Sequence, residues 1–164
     1  VIVYSTGFDS YTGAFDHIDI RGVGGRRLRD KWSEGPMTYL GLMTSDFPNM
    51  LMLVGPQTSA TNFPRGSELA VNWATPLLEY MWQNGHRRFE ANEDAELAWH
   101  EHVKEMYQGM LLRKAKSWIT GYNSNVEGHE YGKKRYNIYN GGSPKYAGRL
   151  EEVAGNDYEG VTFS

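Results

Sequence analysis

His100 and His102 stand one residue apart in Trp99-His100-Glu101-His102, and they are the residues whose type most invites chemistry. On a helix their side chains diverge by about 200°, whereas a helical zinc pair needs the i, i+4 spacing. They read as solvated surface histidines, and no metal is expected. The chain has 0 cysteines, which removes disulfides, thiolate metal sites and sulfur nucleophiles. No Gly-x-Ser-x-Gly elbow occurs to anchor hydrolase chemistry. The carboxylate pairs Glu93/Asp94 and Glu151/Glu152 lie in helical patterns and read as solubilising charge. Gly22-Val23-Gly24-Gly25 would begin a dinucleotide fingerprint only with glycine at position 27, where Arg27 stands, so it reads as a sharp turn. What remains is Gly55-Pro56 and the polar residues after it, which end a buried-looking strand. In an open α/β sheet that end of a strand is where ligands bind.

The elements that must position this loop are legible as patterns. Val1, Ile2, Val3 and Tyr4 read as a strand buried on both faces, paired on each side by sequence outside this chain, and a chain that opens inside its own core suggests a missing front. Ile18-Asp19-Ile20-Arg21 alternates like a half-exposed strand, and residues 38–43 and 49–54 read as two more. Ser67 is a plausible N-cap for a helix with Leu69, Ala70, Trp73, Leu77 and Met81 on one face, and Pro76 predicts a kink or break near Thr75 before Gly85 stops it. Phe89-Glu90-Ala91 reads as a short strand. Asn92 caps a second helix, with Glu93, Asp94 and Glu96 at the positive end of its dipole and Trp99, Val103, Met106 and Met110 on its buried face. Residues 115–136 carry no sustained period, and an irregular stretch of that length is expected to be functional, mobile or both. Residues 136–139 read as extended. Ser143-Pro144 opens a last helix, with Ser143 as cap and Pro144 at the first helical position, through Tyr146, Leu150 and Val153 to Gly155.

Composition narrows the function classes. The chain has 164 residues, one domain's worth, and 17 Lys+Arg against 20 Asp+Glu give a formal charge of -3, so there is no basic footprint for nucleic acid. The longest apolar run, Met50-Leu51-Met52-Leu53-Val54, is far short of the roughly 20 residues of a membrane span. With 13% aromatic residues and 19 Gly, a folded, loop-rich domain is expected.

Several segments carry a family resemblance. Tyr4-Ser5-Thr6-Gly7-Phe8-Asp9 resembles the Ala-Thr-Gly-Phe-Asp element of flavoprotein monooxygenases, with Ser5 in place of the alanine. Ile18-Asp19-Ile20-Arg21-Gly22, Gly24-Gly25, Leu28, Asp30, Trp32, Thr38-Tyr39-Leu40-Gly41, Phe47-Pro48-Asn49 and Gly55-Pro56 follow in the order seen in Baeyer–Villiger monooxygenases. So do Thr61-Asn62, Lys116-Ser117-Trp118, Gly121, Asn123, Gly141-Gly142 and Tyr158-Glu159-Gly160.

The resemblance implies an α/β fold: the C-terminal part of a flavoprotein with two Rossmann-like dinucleotide-binding domains, one for FAD and one for NADPH. Residues 1–8 would end the NADPH-binding domain, and residues 9–164 would form the C-terminal half of the FAD-binding domain, including a mobile loop at 115–136. Such enzymes form a peroxyflavin that inserts oxygen beside a ketone carbonyl, giving an ester or lactone. The resemblance places Thr61, Asn62 and Phe63 near the flavin, Ala60 and Phe63 on the ketone side, and Trp118 over the nicotinamide cofactor. Catalytic residues and the Rossmann glycines lie upstream in relatives and have no counterpart here, so the N-terminal remainder of the same polypeptide is the expected partner, with a ketone and oxygen as substrates and a cytoplasmic location. Gly121-Tyr122-Asn123-Ser124-Asn125-Val126-Glu127-Gly128-His129 is similar to enzymes acting on large-ring, polycyclic or steroid ketones. From the residues alone, Trp118 also fits a core aromatic and Asn62 a helix cap. A non-catalytic α/β binding or structural domain, or part of an N-hydroxylating flavin monooxygenase, stands as the alternative.

Overall fold

The computed structural model describes residues 1–4, 9–59, 62–127, 129 and 135–164. Its ordered elements are α1 (Gly13–Asp16), α2 (Leu28–Lys31), α3 (Phe63–Gln83), β1 (Phe89–Ala91), α4 (Glu93–Gln108), α5 (Ser143–Gly155) and β2 (Val161–Phe163). Short 3-10 turns lie at Val23–Gly25, Leu111–Lys114 and Trp118–Thr120. The strands β1 and β2 pair antiparallel, Phe89 opposite Phe163 and Ala91 opposite Val161. That pair is the only sheet among the described residues.

The three long helices each bury one stripe, as their periodicity requires. Ala70, Trp73, Ala74 and Leu77 of α3, Trp99, Val103 and Tyr107 of α4, and Tyr146, Leu150 and Val153 of α5 are buried. Most of them meet Tyr39, Leu40, Leu42, Met43, Phe89, Tyr139 and Tyr158 in one core. Trp73 Nε1 donates to the Leu150 carbonyl at 3.0 Å and ties α3 to α5. A smaller cluster of Leu28, Trp32, Phe47 and Met52 holds the N-terminal third. Between the two clusters lies a buried ion pair, Lys31 Nζ to Glu96 Oε2 at 2.8 Å. Glu96 also accepts from Thr44 Oγ1, Ser45 N and Ser45 Oγ, so its charge is fully hydrogen-bonded. The sequence reading of Glu96 as a dipole-facing acid missed this second role.

The predicted helices are present, with corrections at the start of α3, at Pro76 and at the end of α4. Helix α3 starts four residues before Ser67, capped by Asn62, whose side-chain oxygen accepts from Arg65 N; Ser67 Oγ instead donates back to the Phe63 carbonyl inside the helix. The helix runs unbroken through exposed Pro76, because the buried residues on either side of it, Trp73, Ala74 and Leu77, hold both turns to the core. Helix α4 has the predicted Asn92 cap, accepting from Asp94 N and Ala95 N. It ends at Gln108, before Met110.

The predicted strands outside β1 are not formed. Residues 38–43 make a tight reversal in which Tyr39 and Met43 bridge, with Leu40 at φ 57° and Gly41 at φ 71°. Residues 49–54 and 18–21 are irregular, with Leu53 and Ile18 exposed. Val1, Ile2, Val3 and Tyr4 are exposed and outside any strand, so the buried strand read there is corrected. The common reason is that a strand exists only across a ladder from a partner, and no described segment supplies one. Residues 136–139, read as extended, bend at Ile138 and form a single parallel bridge between Ser59 and Tyr139. Among the described residues no helix is long and apolar enough to cross a membrane, and no group of metal-ligating side chains is assembled.

Candidate functional site

The loop after Gly55 is held by backbone contacts that only glycine permits. A Cβ on Gly41 would stand 2.4 Å from Thr58 Cγ2 and 2.6 Å from Thr58 N, and one on Gly55 would stand 2.4 Å from the Gly41 carbonyl oxygen. The reversal at 38–43 and the loop therefore touch main chain to main chain. Thr58 Oγ1 donates to the Gly55 carbonyl at 2.8 Å, closing the turn. Gln57 N donates to Asn137 O at 2.7 Å, and Tyr139 N to Thr58 O at 2.9 Å, which pins the loop along residues 137–139. Ser59 Oγ lies 3.3 Å from Ser143 Oγ at the start of α5.

The loop leads to the N-terminus of α3. Asn62 is its cap, so the cap reading of this residue is correct, and the positive end of the 21-residue helix lies at this residue. Phe63, the first helical residue, is 66% exposed and is not a core residue. Ala60 and Thr61 lie outside the described residues. Leu53, Val54, Phe63, Leu69 and Tyr146 line a crevice of about 10 Å³, room for one water rather than a ketone.

The irregular segment is organised by its own local bonds. Ser117 Oγ accepts from Ile119 N, and the Ser117 carbonyl accepts from Thr120 Oγ1 and Tyr122 N, which winds the Trp118–Thr120 turn. Gly121, at φ 80°, closes the turn where a Cβ would collide with the Arg135 side chain at 2.6 Å. Arg135 is buried, donates its N to the Thr120 carbonyl and its guanidinium to the Ser33 carbonyl, and so staples the segment's two ends to residues 33–35. His129 Nδ1 sits 3.4 Å from Asp9 Oδ1. Burial and the neighbouring Asp9 push the Asp16 carboxyl above its usual range beside that pair. Trp118 is 53% exposed and stacks on Tyr11 with ring centroids 5.8 Å apart, so it is not the core aromatic its sequence also allowed.

Of the nominated residues, the structure therefore places Asn62 and Phe63 together at the head of α3, and Trp118 on a separate surface turn against Tyr11. Two neighbours, Gln57 and Tyr11, went unread in the sequence, and His100 read as solvated. Gln57 is fully buried and donates from Nε2 to His100, which is half-buried rather than solvated. Tyr11 underlies Trp118, and burial pushes its phenol up to about 12. No local signal marks these pairs, because their partners lie 43 or more positions away.

No family model matches the chain. Among curated proteins it is 40% identical to the 2-oxo-Δ3-4,5,5-trimethylcyclopentenylacetyl-CoA monooxygenase of Pseudomonas putida, over 100% of this chain and 30% of the relative. It is 37% identical to the phenazine N-monooxygenase of Lysobacter antibioticus, over 98% of this chain and 29% of the relative. It is 39% identical to a Baeyer–Villiger monooxygenase of Pseudooceanicola batsensis, over 75% of this chain and 23% of the relative. Among solved structures, cyclohexanone monooxygenase from Rhodococcus sp. Phi1 bound to NADP+ matches with TM-score 0.89 and 33% identity, over 97% of this chain and 29% of that one. OTEMO in complex with FAD and NADP matches with TM-score 0.85 and 38% identity, over 98% and 29%. The chain thus spans less than a third of the length of the relatives it matches.

Proposed function

We propose that this chain, homologous along its length to a segment of the Baeyer–Villiger monooxygenases, forms one wall of the flavin and nicotinamide sites of an FAD- and NADPH-dependent ketone monooxygenase. The observation that carries the reading is the full-length match, in sequence and in fold, to part of enzymes solved with those cofactors. Residues 9–164 would belong to the FAD side and 1–8 to the NADPH side.

The residues present fit such a role. A 21-residue helix directs its N-terminus, capped by Asn62, toward the loop. There its dipole and first-turn N–H groups would favour negative charge on a reduced cofactor ring. Thr61, Asn62 and Phe63 would lie against the flavin, and Ala60 with Phe63 would border the ketone. Trp118, broad and half-exposed, would cover the nicotinamide and exclude water, with Tyr11 as the platform beneath it. Bound FAD reduced by NADPH would supply the activated oxygen that is inserted beside the ketone carbonyl, giving an ester or lactone. The loop at 121–129 favours bulky rather than small-ring ketones. A cytoplasmic location goes with this reading.

The test is purification of the complete protein. Expected are a flavin absorbance spectrum and NADPH consumption that rises on adding a polycyclic ketone, with a product one oxygen atom heavier. A protein without flavin, or NADPH consumption indifferent to every ketone while an amine substrate is oxidised, would overturn the reading.

A further inference from the structure

We propose that His100 is the positioning residue of the loop at 55–59: as a neutral imidazole it accepts a hydrogen bond from Gln57 and holds the loop, and on taking up a proton it releases it. The consequence for catalysis rests on the flavin-side reading of that loop above, while the structural claim stands on the contacts alone.

Gln57 is fully buried and lies at φ 68°, a left-handed conformation that a glutamine keeps only when its surroundings over-determine it. They do. Its Oε1 accepts from Thr38 N at 3.1 Å and from Thr38 Oγ1 at 2.9 Å. Its Nε2 donates to the Pro36 carbonyl at 3.0 Å and lies 2.8 Å from His100 Nδ1. The Thr38 amide can only donate and the Pro36 carbonyl can only accept, so the orientation of the Gln57 amide is decided without reference to the histidine. Nε2 is then a donor toward His100, and Nδ1 must carry a lone pair with the ring proton on Nε2.

Protonation would set two N–H groups against each other at that distance. The charged ring would also compete with Gln57 for the Pro36 carbonyl, which lies close enough to His100 to favour its charged form. Gln57 is the knot that joins residues 36–38, the loop, residues 137–139 and α4, so loss of this bond loosens the main-chain pairing of Gln57 N with Asn137 O.

The groups facing His100 are Glu101, Lys104 and Glu96 on its own helix and the Tyr136 ring, edge-on at 5.7 Å, from the adjoining segment; Glu96 is itself paired with Lys31 of α2. Burial outweighs the acids, and His100 titrates below its ordinary 6.5. In the pH window between the lowered value and 6.5 the unfolded chain binds the proton and the folded chain does not. The stability His100 contributes is therefore full above 6.5 and is lost as pH falls through the lowered value.

Two measurements on the complete protein test this. Long-range proton–nitrogen correlation spectra of histidine-labelled protein should show His100 with bare Nδ1 and protonated Nε2 at neutral pH, titrating below 6.5, while the Gln57 amide exchanges faster with solvent below that midpoint. A protonated Nδ1 at neutral pH, or a midpoint at or above 6.5, would overturn the inference whatever the enzyme does. In His100→Asn the amide oxygen can still accept from Gln57 but does not titrate. Wild-type kcat/KM should fall more than that of the variant as pH drops from neutral through the His100 midpoint seen in the spectra, and parallel profiles would sink the positioning role. Absence of flavin or of ketone oxidation would count against the function proposed above and leave the tautomer result to decide this one.

Discussion

Trp118 and Glu96 show how differently two side chains can matter. Trp118 is half-exposed and stacks only on Tyr11 among the described aromatic pairs, so its folding contribution is of the order of one aromatic contact, about 0.5–1.5 kcal/mol. If Trp118 covers the nicotinamide as proposed, Trp118→Ala in the complete protein should leave the melting temperature nearly unchanged while raising the share of NADPH consumed without product. Coupling efficiency and melting are measured together, and intact coupling with a large melting loss would show packing instead. Glu96 is the opposite case, a carboxylate with four hydrogen-bond donors and no exposure. Glu96→Ala leaves the buried Lys31 ammonium without its counter-charge and Ser45 N without its acceptor, and should destabilise by about 3–5 kcal/mol in a denaturant titration. Glu96→Met together with Lys31→Met removes both charges and should recover much of that loss.

Helix α3 carries Pro76 in its interior on an exposed turn, where the ring removes a donor and crowds the carbonyl four residues back. The core-facing stripe around Trp73 and Leu77 overcomes this, so the helix survives at a cost. Pro76→Ala should therefore stabilise the protein, by about 1–3 kcal/mol in the denaturation midpoint, with the dichroism spectrum unchanged. A loss of stability would show that the Pro76 ring itself helps to fit α3 to its neighbours. The reversal at 38–43 behaves as a seat for the loop. Gly41 combines φ 71° with a Cβ position 2.6 Å from Thr58 main chain, so Gly41→Ala cannot be absorbed by a rotamer change. It should cost about 1–3 kcal/mol, and speed amide exchange at Tyr139, whose N–H bonds the Thr58 carbonyl, more than at Val103 in the middle of α4. Equal effects at both would mean global destabilisation rather than loss of the seat.

Across the molecule, exposed Val1, Ile2, Val3, Tyr4, Phe63, Trp82, Leu111 and Trp118 present more large apolar side chains than a self-contained surface needs. A groove of about 1040 Å³ between α4 and α5 is floored by Tyr39, Trp99 and Tyr139, and the Trp99 indole N–H beneath it is buried without a partner. The 164 residues expressed alone should bind a hydrophobic dye and self-associate more than the complete protein does, read by fluorescence and sedimentation. Equal dye binding would show that these side chains remain open in the complete protein.

What the sequence determined by itself is what local physics controls. Asn92 capped its helix, Pro144 stood in the first turn of α5 and the 3.6-residue stripes of α3, α4 and α5 were buried as read, because caps and helical hydrogen bonds are satisfied within a few residues; the cap of α5 is Gly142 rather than Ser143, which is itself the first helical residue. The order of the Thr-Gly, Gly-Pro and Ser-Trp elements also carried the family resemblance, since spacing is a property of the chain. Only tertiary structure decided the rest. Apolar runs at 1–4, 38–43 and 49–54 look like strands from their composition, yet strands need a ladder partner and these have none among the described residues. Glu96 read only as an acid facing its own helix dipole until Lys31, from 65 positions away, met it in the core. His100 read as a solvated histidine until Gln57, 43 positions earlier, turned an amide N–H toward it. Neither partner could be inferred from its neighbours in sequence, because burial and hydrogen-bond complementarity act between groups that only the folded chain brings within 3 Å.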